Sequence, residues 1–335
     1  MLPSINTFEQ RFGSLRYFLA PMAGITDTVF RTLMREMGAQ VVISELISSE
    51  GLVRGGKKTR ELLAFSSLER PVGIQLFGSQ ISKLADAARI VEQEGADFVD
   101  LNLGCPVRKV VCDGGGAAWL RNPPQLGQLL CSMKKAIRIP LSIKVRTGWD
   151  EQSKNVHEVA HIAAESGVSW VAIHGRTRAQ GYSGLSDWEL IRSVAHASRV
   201  PIIGNGDIIR AREAQQKLAD GYAHAIMIGR GALKNPWIFQ ELLGHAIESK
   251  NFLTLIDRHF ALAIERKDRT RAFLSLKKFL GWYAAGCPHC STFRSRIFQT
   301  HNVDELKEIS FDYFQSISLG EKHDDGNPFL MGGHG

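Results

Sequence analysis

The chain has 335 residues, of which 44% are hydrophobic and 22% charged, a composition typical of a globular enzyme rather than a disordered or fibrous protein. This length allows one large α/β domain and a smaller second domain. No apolar run reaches the ~20 residues of a membrane span, and residues 1–10 lack the basic start and apolar core of a secretory signal. Because only five cysteines are present and no export signal precedes them, we expect a cytoplasmic protein.

The charge balance is basic, with 41 Lys and Arg against 34 Asp and Glu and a net charge of +7. Two interpretations are open: a solvated basic surface, or a surface that binds a polyanion such as a nucleic acid. The positive charge gathers toward the C-terminus, at Arg266, Lys267, Arg269, Arg271, Lys277, Lys278, Arg294 and Arg296.

Eight short apolar runs predict strands that are buried on both faces, as in a parallel sheet. They occupy residues 17–24, 41–46, 71–77, 98–104, 140–147, 170–176, 201–207 and 225–231. Segments with helical periodicity separate most of them, at 79–94, 123–137, 156–167, 187–197 and 210–219. The alternation predicts an α/β fold, a (β/α)8 TIM barrel. A doubly wound open sheet is the alternative, but no Gly-x-Gly-x-x-Gly follows the first strand.

Strand-like runs stop near residue 243, whereas helical periodicity continues at 253–266, 270–284, 291–299 and 303–317. We therefore predict a barrel domain over 1–243 with a C-terminal helical domain over 244–319. The last segment, 320–335, is rich in Gly, His and Asp and is predicted to be a disordered tail.

The predicted strands end in polar or glycine-rich segments, and in such barrels the active site lies at the carboxyl ends of the strands. These ends occupy residues 20–24, 44–45, 75–78, 102–106, 144–148, 174–177, 205–207 and 229–231. Taken together they predict one composite site. Cys105 stands between Gly104, which permits a tight turn, and Pro106, which fixes the next φ. This thiol is the candidate reactive group.

Several strand ends offer what flavin mononucleotide (FMN) needs. Arg230 has glycines on both sides and follows the last strand, where this fold frequently binds phosphate. Pro21 and Met22 offer an apolar, uncharged surface for a flat ring. Gln75 brings an amide that can meet donors and acceptors on the ring edge. Lys144 would stabilise the negative charge of a reduced flavin.

These motifs, in this order, resemble those of the tRNA-dihydrouridine synthases, flavin enzymes that reduce specific uridines in tRNA. The resemblance covers about residues 15–243, continues in the helical region, and is strongest to the bacterial branch that includes the B-type enzymes. Its motifs are Ala-Pro-Met-Ala-Gly at 20–24, Gln75, Asn-x-Gly-Cys-Pro at 102–106, Lys-x-Arg at 144–146, His-Gly-Arg at 174–176, Asn-Gly-Asp at 205–207 and Gly-Arg at 229–230.

The resemblance implies reduction of the 5,6 double bond of D-loop uridines in tRNA, with Cys105 as proton donor. Asn102 and Arg146 would face the uracil or its ribose-phosphate, and NADPH would be a transient electron donor. We expect a monomer without a metal site or a membrane partner. The residues implied to hold FMN are Pro21, Met22, Ala23, Gln75, Lys144, His174, Asn205, Gly206, Asp207, Gly229 and Arg230.

Two other functions remain open at this point. A small-molecule FMN oxidoreductase of the dihydroorotate or dihydropyrimidine dehydrogenase type also places a reactive Cys or Ser beside flavin, but it needs no basic helical region. A non-catalytic tRNA-binding protein would need neither Cys105 nor a set of flavin-binding residues. Cys287 and Cys290 are interpreted as two cysteines near a helix turn, with half a zinc site or a redox pair as the alternatives.

Overall fold

The structure, a computed structural model, describes residues 14–245 and 252–317. Eight parallel strands form a closed barrel, in which each strand pairs with the next one along the chain and the last pairs with the first. This is the predicted (β/α)8 TIM barrel. The strands are β1 (Tyr17–Leu19), β2 (Val41–Ser48), β3 (Val72–Phe77), β4 (Phe98–Leu103), β5 (Leu141–Arg146), β6 (Trp170–His174), β7 (Ile202–Asn205) and β8 (Ala225–Ile228).

Successive side chains of each strand point alternately into the barrel and toward the surrounding helices, which produces two apolar cores. The inner core fills the lower barrel, where the rings of Phe98 and Trp170 meet edge to face with centroids 4.9 Å apart. Gly73 on β3 leaves room for this pair, because a Cβ there would overlap the Phe98 ring. The packed lower barrel leaves its upper end, at the carboxyl ends of the strands, for a ligand.

Helices follow the strands and cover the barrel. The five helices predicted between strands from periodicity are all present, with ends within two residues of the prediction. Side-chain caps help to start some of them: Asp27 accepts a hydrogen bond from the backbone of Phe30, and Asp187 accepts one from Leu190. The helices of this part are α1 (Thr28–Glu36), α2 (Ser49–Val53), α3 (Lys57–Glu61), α4 (Ile81–Gln93), α5 (Arg108–Cys112), α6 (Pro123–Ala136), α7 (Val156–Glu165), α8 (Trp188–Ala197), α9 (Ala211–Ala219), α10 (Arg230–Lys234) and α11 (Ile238–Leu242).

Four more helices follow the barrel: α12 (Phe252–Arg266), α13 (Arg269–Tyr283), α14 (Cys290–Gln299) and α15 (Val303–Gln315). The first two pack against α1 of the barrel. Phe279 stacks on Phe30 with ring centroids 4.9 Å apart, and Arg266 Nη1 donates to Thr32 Oγ1 at 2.6 Å. An ion pair of 2.6 Å joins Arg258 to Glu36. The helical region is thus attached to the barrel by both apolar and charged contacts, and the domain boundary near 243 stays a prediction.

Several strands are shorter than predicted, because their carboxyl ends turn out of the sheet. β1 ends at Leu19, and the carbonyl of Met22 accepts the turn hydrogen bonds of the next residues. β7 ends before Gly206 and Asp207, whose φ values of 128° and 54° no strand residue adopts. Some of the polar segments that the sequence identified as strand ends, such as 20–24 and 206–207, are therefore loops at the barrel mouth.

The predicted disordered tail, 320–335, lies outside the described residues. Within 14–245 and 252–317, no helix has both the length and the apolar character of a bilayer span. Over the same ranges, no three His, Cys, Asp or Glu side chains come together as metal ligands. Cys287 is buried, and its Sγ donates a weak hydrogen bond to the carbonyl of Tyr283.

Candidate active site at the barrel mouth

A cavity opens at the carboxyl ends of the strands and encloses about 1090 Å³, including solvent at its mouth. Of the residues that the sequence predicted as catalytic, cofactor-binding or substrate-binding, all except Gln75 line this cavity. The predicted lining residues are Pro21, Met22, Ala23, Asn102, Cys105, Lys144, Arg146, His174, Asn205, Gly206, Asp207, Gly229 and Arg230.

Lys144, on β5, lines the cavity. Its Nζ donates to Asn205 Oδ1 at 3.0 Å, and Asn205 Nδ2 donates to the carbonyl of Met227 at 2.8 Å. These two bonds fix the direction of the Asn205 amide and hold the ammonium group in place. Burial, and secondarily the nearby Arg146, lowers the pKa of Lys144 to about 8. The side chain is a partly desolvated cation at neutral pH.

Arg146 joins the loop that carries Cys105 to the loop after β6. Its Nε donates to the carbonyl of Gly104 at 2.9 Å, and its Nη1 donates to the carbonyls of Thr177 and Gly181 at 2.9 and 2.8 Å. Burial lowers the pKa of Arg146 to about 10, so it stays charged at neutral pH. Arg146 therefore orders the mouth of the cavity as well as lining it.

Arg230 stands at the start of α10, with its guanidinium 4.8 Å from the ring centre of Tyr182. One of its nitrogens lies 3.8 Å from Asp207 Oδ1, while Asp207 Oδ2 accepts a 2.8 Å hydrogen bond from Arg176. Arg176 is 1% exposed and also donates to the carbonyl of Gly184. Because Arg176 already neutralises Asp207, the charge of Arg230 remains available to a ligand.

The cavity carries an excess of positive charge. Among the lining residues in the described part of the chain, Asp207 is the only carboxylate, against Lys144, Arg146 and Arg230. Burial, together with these cations and Arg176, holds the pKa of His174 well below its usual value. The imidazole is therefore neutral, and the electrostatics of the cavity favour an anionic ligand.

Cys105 is partly exposed at the edge of the cavity, and its backbone N–H donates to Asn102 Oδ1 at 2.8 Å. Burial raises the pKa of the Cys105 thiol, and this effect exceeds the lowering by a Val107 backbone hydrogen bond and by nearby cations. The thiol is thus protonated at neutral pH. Gly116 packs behind it with φ of 56°, and a Cβ there would lie 3.2 Å from that of Cys105.

Gln75 is fully buried beneath the cavity rather than part of its lining. Its Nε2 donates to Asp100 at 2.6 Å, and its Oε1 accepts from Asn102 Nδ2 at 3.0 Å. The sequence indicates which face of β3 this residue occupies but not its depth in the barrel.

Three further residues received no role in the predicted site: Tyr182, Arg176 and Asp100. Asp100 precedes Asn102 by two positions on β4, so the period of two could have placed both inside the barrel. Arg176 belongs to the His-Gly-Arg motif, but that motif does not indicate that Arg176 forms an ion pair with Asp207. Tyr182 lies in a loop, and no spacing in the sequence points to it.

Comparison with known proteins identifies the family of this chain. The family described as dihydrouridine synthase (Dus) matches residues 18–318. The chain is 33% identical over 315 residues to a probable tRNA-dihydrouridine synthase of Rickettsia bellii, covering 91% of this chain and 96% of the relative. It is 32% identical to tRNA-dihydrouridine synthase B of Xanthomonas axonopodis pv. citri, covering 91% and 94%. A probable tRNA-dihydrouridine synthase of Rhizobium leguminosarum is 39% identical, covering 80% and 84%.

Solved structures share the barrel. Histamine dehydrogenase from Rhizobium sp. 4-9 superposes with a TM-score of 0.53 at 13% identity, covering 74% of this chain and 49% of that one. A 2-naphthoyl-CoA reductase gives a TM-score of 0.51 at 15% identity, covering 68% and 50%. The chain spans about half the length of these two proteins, and at such identities the likeness concerns the fold alone. The match of the family to nearly the whole described chain, together with relatives above 30% identity, shows that this protein belongs to the dihydrouridine synthase family.

Proposed function

We propose that this protein is a tRNA-dihydrouridine synthase that uses FMN and NADPH to reduce the 5,6 double bond of specific uridines in the tRNA D-loop. The observation that carries the proposal is the position of a protonated thiol, Cys105, at the edge of a cavity lined by the desolvated cations Lys144, Arg146 and Arg230. The names of the relatives support the same activity.

The residues of the cavity fit FMN. Arg230 and the small Gly206 and Gly229 suit the phosphate, since glycines let backbone N–H groups approach an anion closely. Met22 and Met227 offer apolar surface to a flat ring. The uncompensated positive charge of the cavity fits a ligand with a phosphate, whereas it would disfavour a cationic one. Pro21, Ala23, His174, Asn205 and Asp207 complete the proposed set.

The proposed reaction adds two electrons and two hydrogens to uracil. When bound, the reduced flavin supplies a hydride to carbon 6. Cys105 then donates its proton to carbon 5, so that the S–H bond breaks as the C–H bond forms, and the thiolate regains a proton from solvent. A positioned general acid of this kind contributes about 10²- to 10⁴-fold to the rate. Lys144 stabilises negative charge that develops beside it.

Asn102 has the capacity to hold the uracil. Its Oδ1 accepts from the backbone of Gly104 and Cys105, and one Nδ2 hydrogen goes to Gln75. The second Nδ2 hydrogen is left for a uracil carbonyl. The target base has to leave its stack to reach this depth, which costs a few kcal/mol.

Contacts to tRNA phosphates would offset this cost, and the basic C-terminal region is the proposed surface. Some basic side chains of this region already bind other parts of the protein and are weaker candidates for phosphate contacts. Arg266 and Lys267 bind the barrel helix α1 and its N-terminal cap, and Lys277 donates to backbone carbonyls. Lys278 and Arg296 are exposed and are the stronger candidates for phosphate contacts.

The proposal is tested by adding candidate substrates to FMN-loaded protein and measuring NADPH oxidation. Unmodified tRNA should stimulate oxidation and gain dihydrouridine, whereas orotate and free uracil, which also carry the 5,6 double bond, should give no turnover. Turnover with a free pyrimidine but not with tRNA would favour a small-molecule oxidoreductase. The Cys105→Ala variant is the control, since it should keep FMN but lose activity on tRNA.

A further inference from the structure

A buried carboxylate lies directly beneath the cavity, and the reaction proposed above does not use it. Asp100, in the middle of β4, is 0% exposed and sits one layer above the rings of Phe98 and Trp170. Its two oxygens accept hydrogen bonds from Gln75 Nε2 at 2.6 Å and from Ser142 Oγ at 2.5 Å. Burial of a carboxylate costs several kcal/mol unless partners compensate, so an apolar residue would fill this position at lower cost.

The hydrogen bonds of Asp100 have a fixed direction. An ionised carboxylate only accepts, so Gln75 must turn its Nε2 toward Asp100 and its Oε1 toward Asn102. Asn102 then donates from Nδ2 to Gln75, which leaves its Oδ1 to accept from the backbone of Gly104 and Cys105 at 3.2 and 2.8 Å. One carboxylate thereby sets the orientation of two successive amides and of the loop that carries the thiol.

The strand pairing makes this arrangement rigid. Gln75 on β3 lies beside Asp100 on β4, and Asp100 lies beside Ser142 on β5. We call Ser142, Asp100, Gln75 and Asn102 the floor network. Its members stand on neighbouring strands of a closed barrel, so the orientation set at Asp100 reaches Cys105 without passing through a flexible segment.

We propose that Asp100 is a positioning residue, which orients Gln75 and Asn102 and so holds the Cys105 thiol where it donates its proton. Without Asp100, either amide can reverse. A reversed Asn102 would point an N–H group at the N–H of Cys105 and release the loop. It would also present an oxygen, rather than a donor, to the uracil carbonyl. This inference rests on the proposed function, because it assigns a role within the proton-transfer step.

The test separates the two half-reactions of the FMN-loaded protein. In Asp100→Leu, oxidation of the reduced protein by tRNA should slow by about 10- to 100-fold, because misplacement of a reacting group by about 1 Å costs that much. FMN content and the rate of flavin reduction by NADPH should stay within about twofold, since neither depends on the thiol. Ser142→Ala is the matched control, because it removes the other partner of Asp100 but leaves the two amides oriented.

A second variant interrupts the same series of hydrogen bonds at Gln75. Gln75→Met keeps the length of the side chain but removes the amide, and it should slow the tRNA half-reaction, as Asp100→Leu does. In Asp100→Leu, equal slowing of both half-reactions, loss of FMN, or an unchanged tRNA half-reaction would overturn the assignment, as would an unchanged tRNA half-reaction in Gln75→Met. If wild-type protein is not oxidised by tRNA at all, the proposed function fails instead, and the two failures are thereby distinguished.

Discussion

At the scale of single residues, the chemistry depends on a thiol that stays protonated although cations stand near it. Burial raises the pKa of Cys105 more than Val107, Arg146 and Lys144 lower it. Electropositive surroundings usually lower the pKa of a cysteine and produce a thiolate nucleophile. Here the cost of desolvating the thiolate has the larger effect on the pKa. The same residue type therefore serves as an acid because of its burial.

This balance predicts a pH dependence. The rate at which tRNA oxidises the reduced protein should fall at alkaline pH, above the ordinary pKa range of a cysteine, as the raised pKa of Cys105 is passed and the thiol gives up its proton to solvent. Stopped-flow absorbance at each pH measures this rate. In Cys105→Ala the part of this fall that is due to the thiol should disappear together with most of the rate, whereas a fall near pH 8 from deprotonation of Lys144 should remain. A rate that rises with pH over this range would show that the thiolate acts instead.

Arg230 gives a second prediction at this scale. Arg230→Ala should weaken retention of FMN by about tenfold or more, because a charge-assisted bond to phosphate is worth about 1.5–3 kcal/mol. Flavin absorbance per polypeptide after gel filtration measures the effect. Arg89→Ala is the control, since Arg89 lies on α4 and pairs locally with Asp86. Equal flavin content in the two variants would contradict the assignment of Arg230.

At the scale of elements, the barrel positions the site at its upper end because packed side chains fill its lower half. Gly73→Ala should destabilise the protein by about 1–3 kcal/mol, since a new Cβ would meet the Phe98 ring and the core has no room to relax. Gly127 in α6 is the matched control, because a Cβ there makes only ordinary contact with Ile162. Gly127→Ala should be neutral or stabilising by up to about 1 kcal/mol. Chemical denaturation measures both, and equal effects would contradict this view of the packing.

The helices and strands could be predicted because their sequence patterns are local. Buried strands give continuous apolar runs, and the helices between them give a period of 3.6, so their order and approximate ends follow from the sequence. The level of a residue inside the barrel depends instead on how eight strands are staggered. For that reason Gln75 was expected at the cofactor and lies beneath the cavity. Tyr182 lies in a loop that is held in place by hydrogen bonds from Arg176 to backbone carbonyls. The sequence does not reveal these contacts.

At the scale of the whole molecule, the C-terminal helices pack against the barrel through a shared core. Phe279 stacks on Phe30, and Arg266 lies 3.7 Å from the buried carboxylate of Glu69 on the barrel. Removal of these helices would expose apolar surface and leave a buried charge without one of its partners. Point substitutions on the surface are therefore the cleaner test of tRNA binding.

Charge reversal at two exposed positions supplies this test. Lys278→Glu with Arg296→Glu should weaken tRNA binding and reduce the slope of log K against log salt concentration by about one for each phosphate that the protein no longer neutralises. FMN content should not change. The control is Arg89→Glu, on the barrel surface. Filter binding over a range of salt concentrations measures the effect, and an unchanged slope in the double variant would move the tRNA surface elsewhere.

The sequence predicted an excess of positive charge toward the C-terminus but not which cations are available. Of that group, Arg266 and Lys267 contact the barrel, and Arg269 pairs with Asp304. Such pairing depends on which helices pack together, and composition carries no information about it. In contrast, nearly all the residues to which the motifs gave a role do line the cavity, because each motif stands at the end of a strand.

The most direct test of the proposed chemistry is a single turnover without NADPH. Protein reduced beforehand under anaerobic conditions is mixed with unmodified tRNA, and flavin absorbance and dihydrouridine are measured together. We predict that the flavin is reoxidised as dihydrouridine appears, in equal amounts, and that Cys105→Ala suppresses both. Reoxidation of the flavin without dihydrouridine, or a protein that remains colourless with excess FMN, would contradict it.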